Sequence, residues 1–247
     1  MRVAVGSDFH NEFSVYKFDN TEADVLVLGG DILLSNRFNT YDPISENTIS
    51  DRFHTFLNDA SEHFKDVIYI MGNHEHYKAK DFATTPNLIR AALKDLSNVH
   101  FLDNDCVTLD GIKFVGATLW TDLNKGCPLT TNALQFGMND FRLIRMNEHG
   151  FRRFRATDMI NEHEKTMKYF EEALVGVTKA VIVGHHAPSS VSVKPRYQGD
   201  HYVNGGCNSD LSEFILDHPQ IVLWTHGHTH DAFDYMIGTT QIGRAHV

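Results

Sequence analysis

Cysteine is scarce: Cys106, Cys127 and Cys207 are the only three, far apart and without any CxxC spacing. A disulfide framework and a zinc finger are therefore excluded, and reduced, structural thiols are expected. No apolar run approaches the length of a membrane span, so no membrane partner is expected. Basic charge is short, with 22 Lys and Arg against 32 Asp and Glu and a net charge of −10. That balance disfavours non-specific binding to a polyanion and admits nucleic acid only as a substrate. No G-x-G-x-x-G follows the first strand-like run, which argues against a dinucleotide-binding turn. Neither an internal repeat nor a low-complexity tract is present. The N-terminus enters Arg2-Val3-Ala4-Val5 directly, which reads as a strand and not as a signal peptide, so a cytoplasmic location is expected.

What is present is a hydrophobic fraction of 42%, enough for one large α/β domain with a sizeable core. Five short apolar runs read as buried parallel strands: Val3–Gly6, Val25–Leu28, Val67–Ile70, Val181–Val183 and Ile221–Trp224. Helices are expected between them. One covers about 45–65, with Ile49, Phe53, Phe56 and Leu57 at helical spacing. A second starts at Thr85 as N-cap with Pro86 at the first helical position, and a third covers about 157–175. Alternation of strand and helix gives an α/β class. Asp110-Gly111 between Val107–Leu109 and Ile112–Val115 predicts a hairpin. Residues 121–155 and 188–209 are less regular, and both are long for plain connections. The domain is expected to run from 1 to 241. Ile242–Val247 can be encoded by ATC GGA AGA GCA CAC GTC, one frame of a widely used sequencing-library adapter, so residues 242–247 are expected to be a non-native tail.

Sixteen histidines stand out. His54, His63, His100, His149, His163 and His218 stand alone and are expected to be surface or helix-face residues. Eight more gather where the strands end, in Ser7-Asp8-x-His10, Gly72-Asn73-His74-Glu75-His76, Gly184-His185-His186 and His226-Gly227-His228-x-His230, and Gly29-Gly30-Asp31 ends a strand in the same style. Open parallel sheets bind ligands beyond the carboxyl ends of their strands, so residues distant in sequence can converge there. Carboxylate, amide oxygen and imidazole without thiolate suit divalent Mn, Fe, Ni or Zn. From the residues alone, other roles stay open. Asp8 or Asp31 could cap a helix, Asn73 could serve a turn, and His186 could take the place of His185. His226 and Glu75 suit supporting roles, and Asn11 could touch substrate.

The five pieces, in this order and each after a strand, closely resemble the calcineurin-like metallophosphoesterase superfamily from residue 8 to residue 230. The resemblance implies a four-layer α/β/β/α sandwich with a dimetal site at the strand ends. It implies that Asp8, His10 and His230 hold one metal, that Asn73, His185 and His228 hold the other, and that Asp31 bridges them. The cofactor is then two divalent ions, manganese first, with iron, nickel or zinc as alternatives. They would lie about 3.5–4 Å apart and share a hydroxide that attacks phosphorus, with His74 assisting the leaving group. The partner is a small phosphorylated substrate, a phosphomonoester or phosphodiester. A metal-dependent nuclease and a non-catalytic scaffold of the same fold are the alternatives. Protein phosphatases of the superfamily carry arginines in the second and third motifs. Here those stretches read Gly30-Asp31-Ile32-Leu33-Leu34-Ser35-Asn36 and Met71-Gly72-Asn73-His74-Glu75, so protein phosphatase activity is not expected. Arg142, Arg145 and Arg196 are candidate replacements for the clamp.

Overall fold

A computed structural model describes residues 1–19, 22–35, 49–147 and 151–244. Residues 45–48 of the first expected helix, Asn36, His149 and residues 245–247 of the expected tail lie outside the described residues.

All five apolar runs form strands. Strands β1 (Val3–Gly6), β2 (Val25–Leu28), β3 (Asp66–Ile70) and β4 (Val99–Leu102) make an all-parallel sheet in that order. Strands β5 (Asp105–Leu109) and β6 (Ile112–Gly116) form the expected hairpin, with Leu109 opposite Ile112 across Asp110-Gly111. Both turn residues have positive φ, 47° and 78°, as a tight hairpin turn demands. The hairpin edges a six-stranded mixed sheet completed by β9 (Ala180–Val183), β10 (Ile221–Thr225), β11 (Phe233–Ile237) and β12 (Thr240–Arg244), ordered β11-β12-β10-β9-β6-β5.

Side-chain alternation decides how the layers stack. In β2, Val25 and Val27 face one way and meet Ile68 and Ile70 of β3, Phe114 of β6 and Val181 and Val183 of β9; this core lies between the two sheets. Leu26 and Leu28 face the other way. They pack on Phe53, Phe56, Leu57 and Ala60 of α1 (Ile49–His63) and on Ile89 of α2 (Thr85–Ala92). The second sheet does the same on its far side. Val115, Ile182, Trp224 and Ile242 meet Phe170 and Ala173 of α6 (Ala156–Ala173) and Ile215 of α8 (Ser212–Asp217). The result is helix, sheet, sheet, helix, the four layers that the resemblance implies.

The irregular stretch 121–155 holds α3 (Leu123–Gly126), α4 (Pro128–Gly137), α5 (Asp140–Leu143) and a ribbon of β7 (Arg145–Met146) and β8 (Arg152–Arg153). The stretch 188–209 holds two single 3-10 turns and α7 (His201–Asn204). One expectation needs correction. A 3-10 turn at Phe82–Thr84 runs straight into α2, so Thr84 takes the cap position and Thr85 is already helical. Strand β12 runs to Arg244, and Ile242 is fully buried in the outer core of the second sheet. No helix of the described residues is long and apolar enough to cross a membrane. Cys106, Cys127 and Cys207 carry free thiols.

Candidate metal centre

The carboxyl ends of β1, β2, β3, β9 and β10 converge because the loops after them are stitched together by backbone hydrogen bonds. The amide of Asp8 donates to Gly30 O (3.0 Å), His10 to Asp31 O (3.1 Å) and Gly227 to His185 O (2.8 Å). These loops turn sharply enough to force left-handed backbone onto residues that do not favour it. Asp8, His10, Asp31, His228 and His230 all have φ between 44° and 65°. Such strain persists only where the surroundings impose it, and it concentrates at functional sites. The glycines between them leave no room for anything larger. A Cβ on Gly72 would stand 2.2 Å from Asp31 Oδ1 and 2.7 Å from His185 Cε1. Gly72→Ala is therefore expected to push both side chains aside. It should cost about 1–3 kcal/mol of stability in a denaturant titration, and a Gly72→Ala enzyme as stable as the parent would contradict this packing.

The side chains form three overlapping groups, one of them His10, Glu12 and His74. Asp8, His10, Asp31 and His230 bring ligand-type atoms within 4.8 Å of one another, and so do Asp31, His185 and His228. Asp31 belongs to both. Its Oδ2 lies 3.4 Å from His185 Nε2 and 3.9 Å from His74 Nε2. His230 Nε2 is 3.4 Å from Asp8 Oδ1. Asn73 joins the second group: its Oδ1 is 3.1 Å from His185 Nε2 and 3.2 Å from His228 Nδ1. Burial works against the Asp31 carboxylate, yet the imidazoles of His185, His74 and His10 outweigh it and hold Asp31 well below the usual carboxylate range.

A layer of hydrogen bonds aims each of these groups. Asn73 Nδ2 donates to Asp140 Oδ1 (2.8 Å) and to Tyr77 Oη (2.9 Å), which fixes the amide so that its oxygen faces the histidines. The Tyr77 hydroxyl donates in turn to Asp140 Oδ1 (2.5 Å). Burial pushes Asp140 up to about 6, against the hydrogen bonds from Tyr77 and Asn73. His185 Nδ1 donates to Gly29 O (2.7 Å), leaving Nε2 toward Asp31 and Asn73. Ser7 Oγ and the His228 amide both donate to the Asp8 carboxylate, at 2.6 Å and 3.0 Å. Glu75 is fully buried and accepts from the amides of Asp31 (3.1 Å), Ile32 (2.8 Å) and Gly72 (2.8 Å) and from Tyr69 Oη (3.0 Å). Burial, helped by the Asp31 charge, lifts Glu75 to about 7.

The donor set fits a pair of divalent cations. It consists of carboxylate, amide oxygen and imidazole with no thiolate, and one buried carboxylate is shared between two clusters. A family model described as calcineurin-like phosphoesterase matches residues 1–232. The chain belongs to the calcineurin-like phosphoesterase family. An uncharacterized protein of Acanthamoeba polyphaga mimivirus is 28% identical over 208 residues, 77% of this chain and 72% of that protein. Among solved structures, phosphopantetheinyl hydrolase from Mycobacterium tuberculosis shares the fold with a TM-score of 0.64 at 14% identity, covering 100% of this chain and 89% of that one. A dimetal phosphatase from Danio rerio does so with a TM-score of 0.55 at 13% identity, covering 99% and 86%.

All seven residues singled out as ligands of this phosphoesterase, and His74, come together. Other expectations resolve differently. Asn11 is fully buried, donates to Ile32 O (3.3 Å) and accepts from the Tyr16 amide (3.2 Å), so it shapes the loop and does not face a substrate. His186 sits behind the cluster, its ring 4.4 Å from that of His228 and 5.3 Å from that of Trp120, with Nδ1 on Thr118 O. His226 bonds Gly227 O and Ser192 Oγ. Arg142 and Arg145 are exposed, and Arg196 stacks on Tyr197; among the described residues none of the three pairs with the cluster. Tyr77, Asp140 and Glu12 escaped the sequence reading. Asp140 lies 67 positions from Asn73 inside the irregular insert, and no motif marks it.

Proposed function

We propose that this phosphoesterase hydrolyses small phosphomonoesters or phosphodiesters with two divalent cations, manganese first among them. Asp8, His10 and His230 would hold one cation, Asn73, His185 and His228 the other, and Asp31 both. The observation that carries the reading is the single carboxylate common to both ligand groups. Such a pair, when bound, polarises phosphoryl oxygens and lowers the pKa of water toward about 7.

The chain's own residues do the rest. Asn73 offers a neutral amide where a carboxylate would cancel charge, so the loaded site keeps a net positive field for a phosphate. Tyr77 and Asp140 hold that amide in register, and Glu75 holds the loops that carry Asp31 and Gly72. His74 donates its amide to Asp31 Oδ1 (2.8 Å) and turns Nε2 toward the same carboxylate. It is 30% exposed, so it can meet a leaving oxygen and supply a proton to it.

Chelation tests the reading. Enzyme stripped of metal is expected to lose at least about 99% of its activity on nitrophenyl phosphate or bis-nitrophenyl phosphate and to regain it with Mn²⁺, two ions per chain. Stripped enzyme that keeps the parent rate would remove the proposal.

A further inference from the structure

We infer that Glu12 is a positioning residue whose single carboxylate backs two imidazoles, His10 and His74; the inference rests on the reading of His10 as a metal ligand and of His74 as the leaving-group partner. Glu12 Oε1 lies 3.4 Å from His10 Nδ1 and 4.0 Å from His74 Nδ1. Its side chain is 11% exposed. Both Nδ1 atoms and Glu12 Oε2 are buried and, among the described residues, make no hydrogen bond. The Glu12 carboxylate is the anion that both Nδ1 atoms meet, at ion-pair distance. The rings themselves touch edge to face, with centroids 4.6 Å apart.

The loop is built to hold the carboxylate there. The amide of Phe13 donates to His10 O (3.0 Å), which curls residues 10–13 so that Glu12 folds back beneath His10. From α1, Arg52 Nη1 donates to Glu12 O (2.9 Å) and Asn11 O (3.4 Å), tying the curl to a helix. On the far side of His74, Nε2 looks toward Asp31 at 3.9 Å. His74 is therefore slung between two carboxylates, Glu12 behind it and Asp31 in front.

An imidazole whose Nδ1–H points at a carboxylate has its ring plane fixed and presents Nε2 in one direction. For His10 that direction is the metal; for His74 it is the reaction centre. One side chain then sets both the grip on a cation and the aim of a proton donor. Glutamine in its place keeps the shape but loses the charge, and in one of its two orientations it sets an NH₂ against the rings.

Glu12→Gln and the parent are compared by Mn²⁺ titration calorimetry and by kcat and KM at saturating Mn²⁺ on nitrophenyl phosphate and on phenyl phosphate, whose leaving phenol is the weaker acid. Weakening of one of the two Mn²⁺ sites by about 10- to 100-fold is expected. The loss of kcat should be about tenfold greater on phenyl phosphate, with KM little changed. Glu12→Asp, which keeps the charge one methylene short, should fall between the two and serves if Glu12→Gln does not fold. Variants that bind both ions as tightly as the parent and lose equally on both substrates overturn the role of Glu12 and leave the dinuclear reading standing. A parent that binds no Mn²⁺ removes that reading and this inference with it.

Discussion

Asp31→Ala is expected to abolish binding of both cations and to lower kcat/KM by about 10³-fold or more, since loss of even one preorganised electrostatic partner costs about 10²–10³. In energy that is about 4 kcal/mol of transition-state stabilisation. The size follows from position. Asp31 is 1% exposed, belongs to both ligand groups and accepts the amide of His74. Its removal takes an anion away from His185, His74 and His10 together. Asp31→Asn separates charge from shape: it keeps an acceptor for the His74 amide and tolerates φ of 54°, so it should fold while still losing most activity. Metal analysis beside a kinetic assay reads both variants. An Asp31→Ala enzyme holding two ions and working at the parent rate would show that the shared carboxylate is not the bridge.

Glu75→Ala carries the largest expected cost to stability. Four donors converge on this carboxylate in a region closed to water: the amides of Asp31, Ile32 and Gly72 and the hydroxyl of Tyr69. Alanine would strand all four, at about 1–3 kcal/mol for each buried unsatisfied group. The terms do not add fully, and a loss of about 4 kcal/mol or more is expected in urea unfolding. That is a large share of the roughly 5–15 kcal/mol by which domains are stable. Glu75→Gln should cost less, because one amide oxygen still accepts, but its NH₂ must face a donor. Glu75→Ala unfolding within about 1 kcal/mol of the parent would mean that those donors find other acceptors.

The strands, the hairpin and the convergence of the clustered side chains were legible in the sequence because each rests on short-range pattern. Val25-Leu26-Val27-Leu28 is apolar on both faces, which marks a strand buried on both sides before any partner is known. Asp110-Gly111 states its own turn. The sandwich was not legible from pattern, because nothing in β6 or β9 says that Phe114 and Val183 will meet Val27 across a second sheet. At the site, types of ligand could be read but supports could not. Glu12 follows His10 by two positions, yet its use depends on a curl of the main chain that no local signal announces. Asp140 reaches Asn73 from a stretch that looked irregular. Asn11 shows the opposite error: a polar residue beside a ligand suggested substrate contact, while its amide is consumed within the loop.

Five of the proposed ligand positions, Asp8, His10, Asp31, His228 and His230, sit in left-handed backbone that suits glycine better than any of them. Left-handed geometry costs such residues on the order of 1 kcal/mol each. A glycine there gives back in main-chain ease part of what it forfeits in contacts. Selecting a library of variants by thermal resilience alone would therefore penalise loss of these side chains less than their contacts suggest. At these five positions main-chain ease and side-chain chemistry pull in opposite directions.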